Sequence, residues 1–426
     1  MKHFPNAHSK WWLLSIGVLT SFALAQGGKV LFVSTQFNNV TESQSVRTVI
    51  LKGAPADVEF LGQDTAAFYS RVQAEQTSGK VQSSLLGGLH GDFSGLTGSL
   101  DNVDDVLSKV RGRGIPNSMI TLGKLGTKNE KYIPWAQATY VMVANKQALP
   151  FLPAGADINK LTYKQLAAWG KNIKDKTGQN RLGFPAGPNG LIHRFVQGYL
   201  LPSYTSSVVT RFRSPLAVSA WKDMQEIWKY TNTQSTSYNF MQEPLLSGEV
   251  WVGWDHVARL KDALDQKPND FVVFPAPGGP RGHSYMPVIA GLSIPKGAPN
   301  RAGAVATIDA LLKPQAQMAM PREVGFFPVI AGDLPADLPQ GTRMMAAAVA
   351  LQAKTGTVSV LPVGLGSAGG EFSKVYIDTF QRIVVRKQDI KEALDTETEV
   401  LNTVLQGAKA PCWAPDTTTA ATCQAQ

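Results

Sequence analysis

The stretch GEVWVGWDHVARL (residues 248–260) sets Asp255 beside His256 at the end of an apolar run, with Trp251 and Trp254 three residues apart. A carboxylate next to an imidazole suits general acid–base chemistry. A tryptophan beside a planar polar group suits something else: the flat ring packs on the C–H face of a sugar while the polar group binds its hydroxyls. The same combination recurs at Trp135 with Gln137, and at Phe37 between Gln36 and Asn38. Strand residues an odd number apart face opposite ways. This reads Trp254 as facing a cleft, Trp251 as core, and His256 as the solvated start of a helix.

Other reactive patterns carry less. Ser219 with Lys222 and Ser293 with Lys296 match S-x-x-K, but no S-D-N lies between them, so an acyl-enzyme is not the reading. GLGSAG (residues 364–369) matches a dinucleotide fingerprint without the following strand and acidic ribose partner, and reads as a glycine turn. The histidines lack zinc spacing, and the two cysteines, Cys412 and Cys423, suit a local disulfide rather than a metal. No cofactor or metal is expected. Paired carboxylates for glycoside hydrolysis remain an alternative, with Glu42, Asp64, Asp92, Asp255, Glu323 and Glu371 as candidates.

The elements that must position these residues begin with KVLFVST, ADVEFLG and KVQSSLLGG, three strands separated by helical stretches. Thr41 with Gln44 reads as a capping box for the first helix and Asp64 as the N-cap of the second. Strand–helix alternation at this spacing predicts a parallel sheet. Ligands bind at the carboxyl ends of such strands, here QFNN (residues 36–39), GQD (62–64) and GGLHGDF (87–93). LTYKQLAAWGKNIKDKTG, RLGFPA and SPLAVSAWKDMQEIWKY (with Leu216, Trp221, Met224, Ile227 and Trp228 as its buried face) build a second α/β unit. The long runs KYIPWAQATYVMVANK and YMPVIAGLSIPKGAPN look like crossings between the two.

With 426 residues, 43% hydrophobic and 17% charged, the chain has ample material for a globular core. Lys2 and Lys10, the run WWLLSIGVLTSFALA, and small residues at Ala23 and Ala25 read as a cleaved secretory signal over residues 1–25. A net charge of +9 invites a nucleic-acid partner, but the basic residues are scattered and the chain is exported, so none is expected.

The order of YIPWAQATYVMVANK, LTYKQLAAWGKNI, MQEPLLSGEVWVGW, FPAPGGPRGHSYMPVIAGLSIPKGAPN, VGFFPVI and KEALDTETEVLNTVL resembles that of the extracellular solute-binding proteins of ABC importers, in the group taking maltose, other oligosaccharides and glycerol phosphates. The resemblance implies a periplasmic-binding-protein-like α/β fold, two lobes joined by hinge strands around a ligand cleft. Lobe 1 is expected over residues 26–134 plus 290–328, lobe 2 over 138–287 plus 331–410, and a flexible tail with the cysteine pair over 411–426. It implies a monomeric, non-catalytic protein, periplasmic or secreted, that captures a carbohydrate and delivers it to a membrane permease. Glycerol phosphates, another polyol, or a glycosidase activity are the alternatives. The expected ligand contacts are Gln36, Asp64, Trp135 and Trp254, then Asp92, Gln137, Asp255, Tyr285, Gly291 and Arg322.

Overall fold

The computed structural model describes residues 28–55, 57–416 and 420–426. The stretch read as a signal, residues 1–25, lies outside the described residues. Among the described residues no helix is long and apolar enough to cross a membrane.

Among the described residues, twelve strands form three sheets. In chain order they are β1 (Val30–Ser34), β2 (Val58–Gly62), β3 (Leu85–Leu89), β4 (Ile133–Ala138), β5 (Tyr140–Asn145) and β6 (Leu182–Gly183). Then come β7 (Val252–His256), β8 (Phe271–Phe274), β9 (His283–Tyr285), β10 (Val288–Ser293), β11 (Phe327–Pro328) and β12 (Gly356–Val358). The first sheet runs β11-β4-β10-β3-β1-β2, with β1, β2 and β3 parallel and β10 antiparallel to both β3 and β4. The second runs β6-β7-β5-β8, and β12 pairs with β9 apart from both. These two larger sheets are the cores of two α/β lobes.

Burial on both faces explains why the central strands lack polar alternation. In β1, Val30 and Phe32 join one apolar cluster while Val33 joins another with Phe68, Val72 and Leu86, so helices cover the sheet on each side. All six residues of β5 are buried for the same reason.

The chain crosses between lobes at Thr139, which alone separates β4 from β5, and again at residues 286–287, between β9 and β10. Thr139 Oγ1 donates to the Met286 carbonyl at 2.8 Å, tying the two crossings together. A third passage follows β11 and leads into helix Gln340–Thr355. Gln352 of that helix donates to the Tyr140 carbonyl at 3.0 Å and accepts from Ala276 N at 2.9 Å, fixing it beside the first crossing.

Three local expectations need correction. Helix Val40–Thr48 is capped by Asn39, whose side chain accepts from Glu42 N at 2.8 Å, and not by Thr41; Asn39 stands in extended backbone just ahead of the first turn, whereas Thr41 already lies inside the helix. On helix Pro215–Trp228 the sealed positions include Ala217 and Ala220, while Leu216 and Trp228 are only half-buried.

The C-terminal residues are not a free tail. Cys412 and Cys423 are disulfide-bonded, and Trp413 and Cys423 are buried. The Asp416 carboxylate accepts from Val208 N (2.7 Å), Val209 N (2.9 Å), Thr210 N (2.7 Å), Thr210 Oγ1 (2.6 Å) and Ser207 Oγ. A composition rich in Thr and Ala hid this docking, because one buried carboxylate and one disulfide carry it.

Candidate functional site

The carboxyl ends of the parallel strands of the first sheet open onto a cleft of about 840 Å³ that both lobes line. From lobe 1 come Thr35, Gln36, Phe37, Asn38 and Glu42, all on the loop and first helical turn that follow β1. From lobe 2 come Tyr140, at the start of β5, then Phe240, Gln242 and Glu243, then His256 and Arg259 at the end of β7 and the helix behind it. Leu89, Leu191, Val288, Glu323 and Phe326 contribute further lining.

The loop after β1 is held in shape by a strained residue. Phe37 has φ of 57°, in the left-handed region that non-glycine residues rarely adopt. Its carbonyl accepts from Ser43 Oγ at 2.7 Å, and its ring makes edge-on contacts with Trp135 at 5.2 Å and Phe326 at 5.0 Å. The hydrogen bond and the two ring contacts offset the backbone cost, and strain of this kind concentrates at ligand sites.

Opposite, Tyr140 stacks flat on Trp254, with ring centroids 4.8 Å apart and planes 8° apart. His256 meets Tyr140 edge-on at 5.1 Å. Its Nδ1 accepts from Ala258 N at 3.3 Å, capping helix Val257–Gln266 and leaving Nε2 as the protonated donor. Burial pushes the imidazole pKa down to about 3, so the ring is neutral at ordinary pH. Phe240 is 45% exposed, and the Arg259 guanidinium sits 4.5 Å from its ring centroid.

Of the ten expected contacts, Gln36 lines the cleft, donating to Thr35 Oγ1 at 3.1 Å. Asp92 braces the wall from behind, accepting from Thr35 Oγ1 at 2.7 Å and Leu89 N at 2.9 Å. The structure puts the others elsewhere. Trp254 is fully buried: Phe195 and Tyr199 cover the face on which it stands, at 5.0 and 5.6 Å, and Tyr140 takes the cleft side. Trp251 is only half-buried, against Phe151 and Arg181, so the inside–outside reading of the two tryptophans is reversed. The odd spacing gave opposite faces without saying which face a helix covers.

Trp135 is likewise sealed beneath Phe37. Asp255 spends its carboxylate on His256 N (2.7 Å) and Met241 N (2.9 Å), and burial raises its pKa to about 6. Gln137 donates to the Pro328 carbonyl at 2.6 Å, joining β4 to β11. Asp64 is an exposed N-cap that accepts from Ala67 N. Tyr285 is buried on β9. Gly291 leaves room for the Tyr132 ring, which a Cβ there would strike at 2.2 Å. Arg322 forms an exposed ion pair with Asp337 at 2.8 Å.

The sequence model of the bacterial extracellular solute-binding protein family matches residues 24–318. The chain belongs to that family. Among curated proteins none matches this solute-binding protein. Solved structures share its fold at low identity. Maltose-bound MalE3 of T. maritima superposes with a TM-score of 0.71 at 15% identity, over 88% of this chain and all of that one. UgpB of Mycobacterium tuberculosis in complex with glycerophosphocholine gives 0.71 at 17%, over 89% and 99%. The sugar-binding protein MalE of Xanthomonas citri gives 0.71 at 14%, over 89% and 98%. This solute-binding protein therefore shares its two-lobed α/β fold with these structures.

Proposed function

We propose that this protein is the substrate-binding component of an ABC importer, capturing a sugar or short oligosaccharide outside the cytoplasm and handing it unchanged to a membrane permease. The observation that carries the reading is the cleft: exposed Phe240 and the Tyr140 ring are interleaved with Gln36, Asn38, Gln242 and Glu243. Aromatic faces for C–H surfaces beside planar hydrogen-bonding groups are what a hydroxylated ring requires. A volume of about 840 Å³ suits more than one sugar unit.

Charge favours a neutral ligand over a phosphate. Glu42, Glu243, Asp262 and Glu323 line the cleft against Arg259 and Lys261, and Lys261 is already paired with Asp265 at 3.0 Å. The test is a thermal-shift screen over mono- and oligosaccharides and glycerol phosphodiesters, with product analysis of every hit. Stabilisation with unchanged ligand is expected. Released reducing sugar that disappears when Glu42 or Glu323 is neutralised would assign the cleft to a glycosidase instead.

A further inference from the structure

Away from the chain crossings, the lobes also touch through a strap. Residues 359–366 follow β12 and are fastened to lobe 2. Ser359 N donates to the Tyr285 carbonyl at 2.9 Å, and Ser359 Oγ donates to the Gln197 carbonyl at 3.0 Å. Gln197 lies on segment Val196–Leu200, whose Tyr199 packs on Trp254 of β7, an inner strand of the lobe 2 sheet. Val360 N donates to the Ala414 carbonyl at 3.0 Å, and Leu361 and Leu365 are buried.

Between these anchors the strap reaches lobe 1. Gly364 N donates to Ser94 Oγ at 2.9 Å, on helix His90–Ser94, which follows β3 directly. The Ser94 hydroxyl donates in turn to the Gly91 carbonyl at 2.8 Å, which leaves its oxygen free to accept from the strap. Glycines let the two backbones come this close. A Cβ on Gly91 would stand 2.9 Å from the Pro362 carbonyl oxygen, and one on Gly95 2.7 Å from Gly366 Cα. Gly364 has φ of 77°, a conformation that favours glycine. Leu89, the residue just before the helix, lines the cleft, so the strap meets lobe 1 beside the cleft wall.

We propose that residues 359–366 are a latch: they hold helix His90–Ser94 against lobe 2 while the lobes are together, and let go of it when the lobes part. The crossings at Thr139, at residues 286–287 and after β11 are continuous chain and can only bend. The strap contact joins stretches far apart in sequence through one hydrogen bond and close backbone packing, so it can break and re-form as a unit. One such hydrogen bond contributes little net free energy, enough to bias the lobes toward each other without locking them. The latch works from outside the cleft lining and does not depend on what the cleft binds.

The test is residue-resolved amide exchange together with solution scattering, on the protein without added ligand, for wild type, Gly91→Ala and Ser94→Ala. Chain neighbours and its own helix backbone aside, a Cβ at Gly91 meets only the Pro362 oxygen within 4 Å among the described residues. The alanine therefore wedges the strap while suiting the helix better than glycine does. Ser94→Ala removes the acceptor. In both variants the Gly364 amide should exchange roughly tenfold faster. The Ser359 and Val360 amides, bonded within lobe 2, should keep their rates, and the radius of gyration should rise. A wild-type Gly364 amide that exchanges like free chain, or variants that match wild type in both measurements, would overturn the latch. Equal acceleration at all three amides would mean that the strap had loosened from its own lobe, and a freed Gly364 with unchanged scattering would mean that the contact has no hold on the lobes; either result also overturns it. No sugar enters the measurement, so failure of the latch leaves the reading of the cleft standing.

Discussion

Trp254 lies flat against Tyr140, 4.8 Å between ring centroids, so the ring that meets the cleft is held by one that never reaches it. Phe195 and Tyr199 close the other sides of Trp254. Trp254→Ala should therefore cost about 3–5 kcal/mol of unfolding free energy through the cavity it leaves. Trp251→Ala, at a half-buried position, should cost clearly less. Denaturant titration of the two variants checks the order, and equal losses would contradict it.

Tyr140 offers a cleaner functional test, because its hydroxyl serves no protein group among the described residues. Tyr140→Phe should melt with the wild type. Its affinity for the sugar that stabilises the protein should fall by about 1 kcal/mol, the net value of one hydrogen bond. A variant that binds normally would remove the hydroxyl from the site.

Phe240 should act through its face. With 45% of its surface exposed, Phe240→Ala ought to change stability by no more than about 0.5 kcal/mol. Loss of the stacking surface should weaken binding by about 1–2 kcal/mol. Calorimetry and thermal melts on the same preparation separate the two effects.

The C-terminal staple should matter for stability and not for binding. The disulfide spans 11 positions of sequence, and replacing both cysteines by serine should cost about 2–3 kcal/mol on loop-closure grounds. Asp416→Ala should cost about 3 kcal/mol or more, since it strands three backbone amides that now share the carboxylate. Sugar affinity should be unchanged in both, and a large loss would place the staple in the binding machinery.

Acid should destabilise the protein in part through His90. Its Nδ1 meets the Tyr132 hydroxyl at 2.9 Å, and burial lowers its pKa from 6.5 to about 4. The unfolded chain takes the proton first, so this contribution is full above pH 6.5 and is lost as pH falls toward 4, at about 1.4 kcal/mol per pH unit. Asp255 has the opposite sign: its raised pKa makes its contribution greatest at low pH, with loss as pH rises toward 6. His90→Gln should flatten the acid limb of the stability profile, and an unchanged slope would contradict the assignment.

The fold was legible because its signals are periodic and local. Strand–helix alternation announced the parallel β1, β2 and β3, and Asp64 caps the second helix as expected. Phe37 with its polar neighbours and the carboxylates Glu42 and Glu323 do reach the cleft. The tryptophans misled because aromatic area alone does not say which side of a sheet a helix will cover. Tyr140 sat unremarked in the crossing strand, and Phe240 in a polar loop.

Solution scattering of the protein, with and without the sugar that gives the largest thermal shift, tests capture between two lobes most directly. Hinge closure on a ligand predicts a smaller radius of gyration in the presence of the sugar, with the sugar recovered intact. Confirmed binding with an unchanged scattering profile would contradict capture by lobe closure in this cleft.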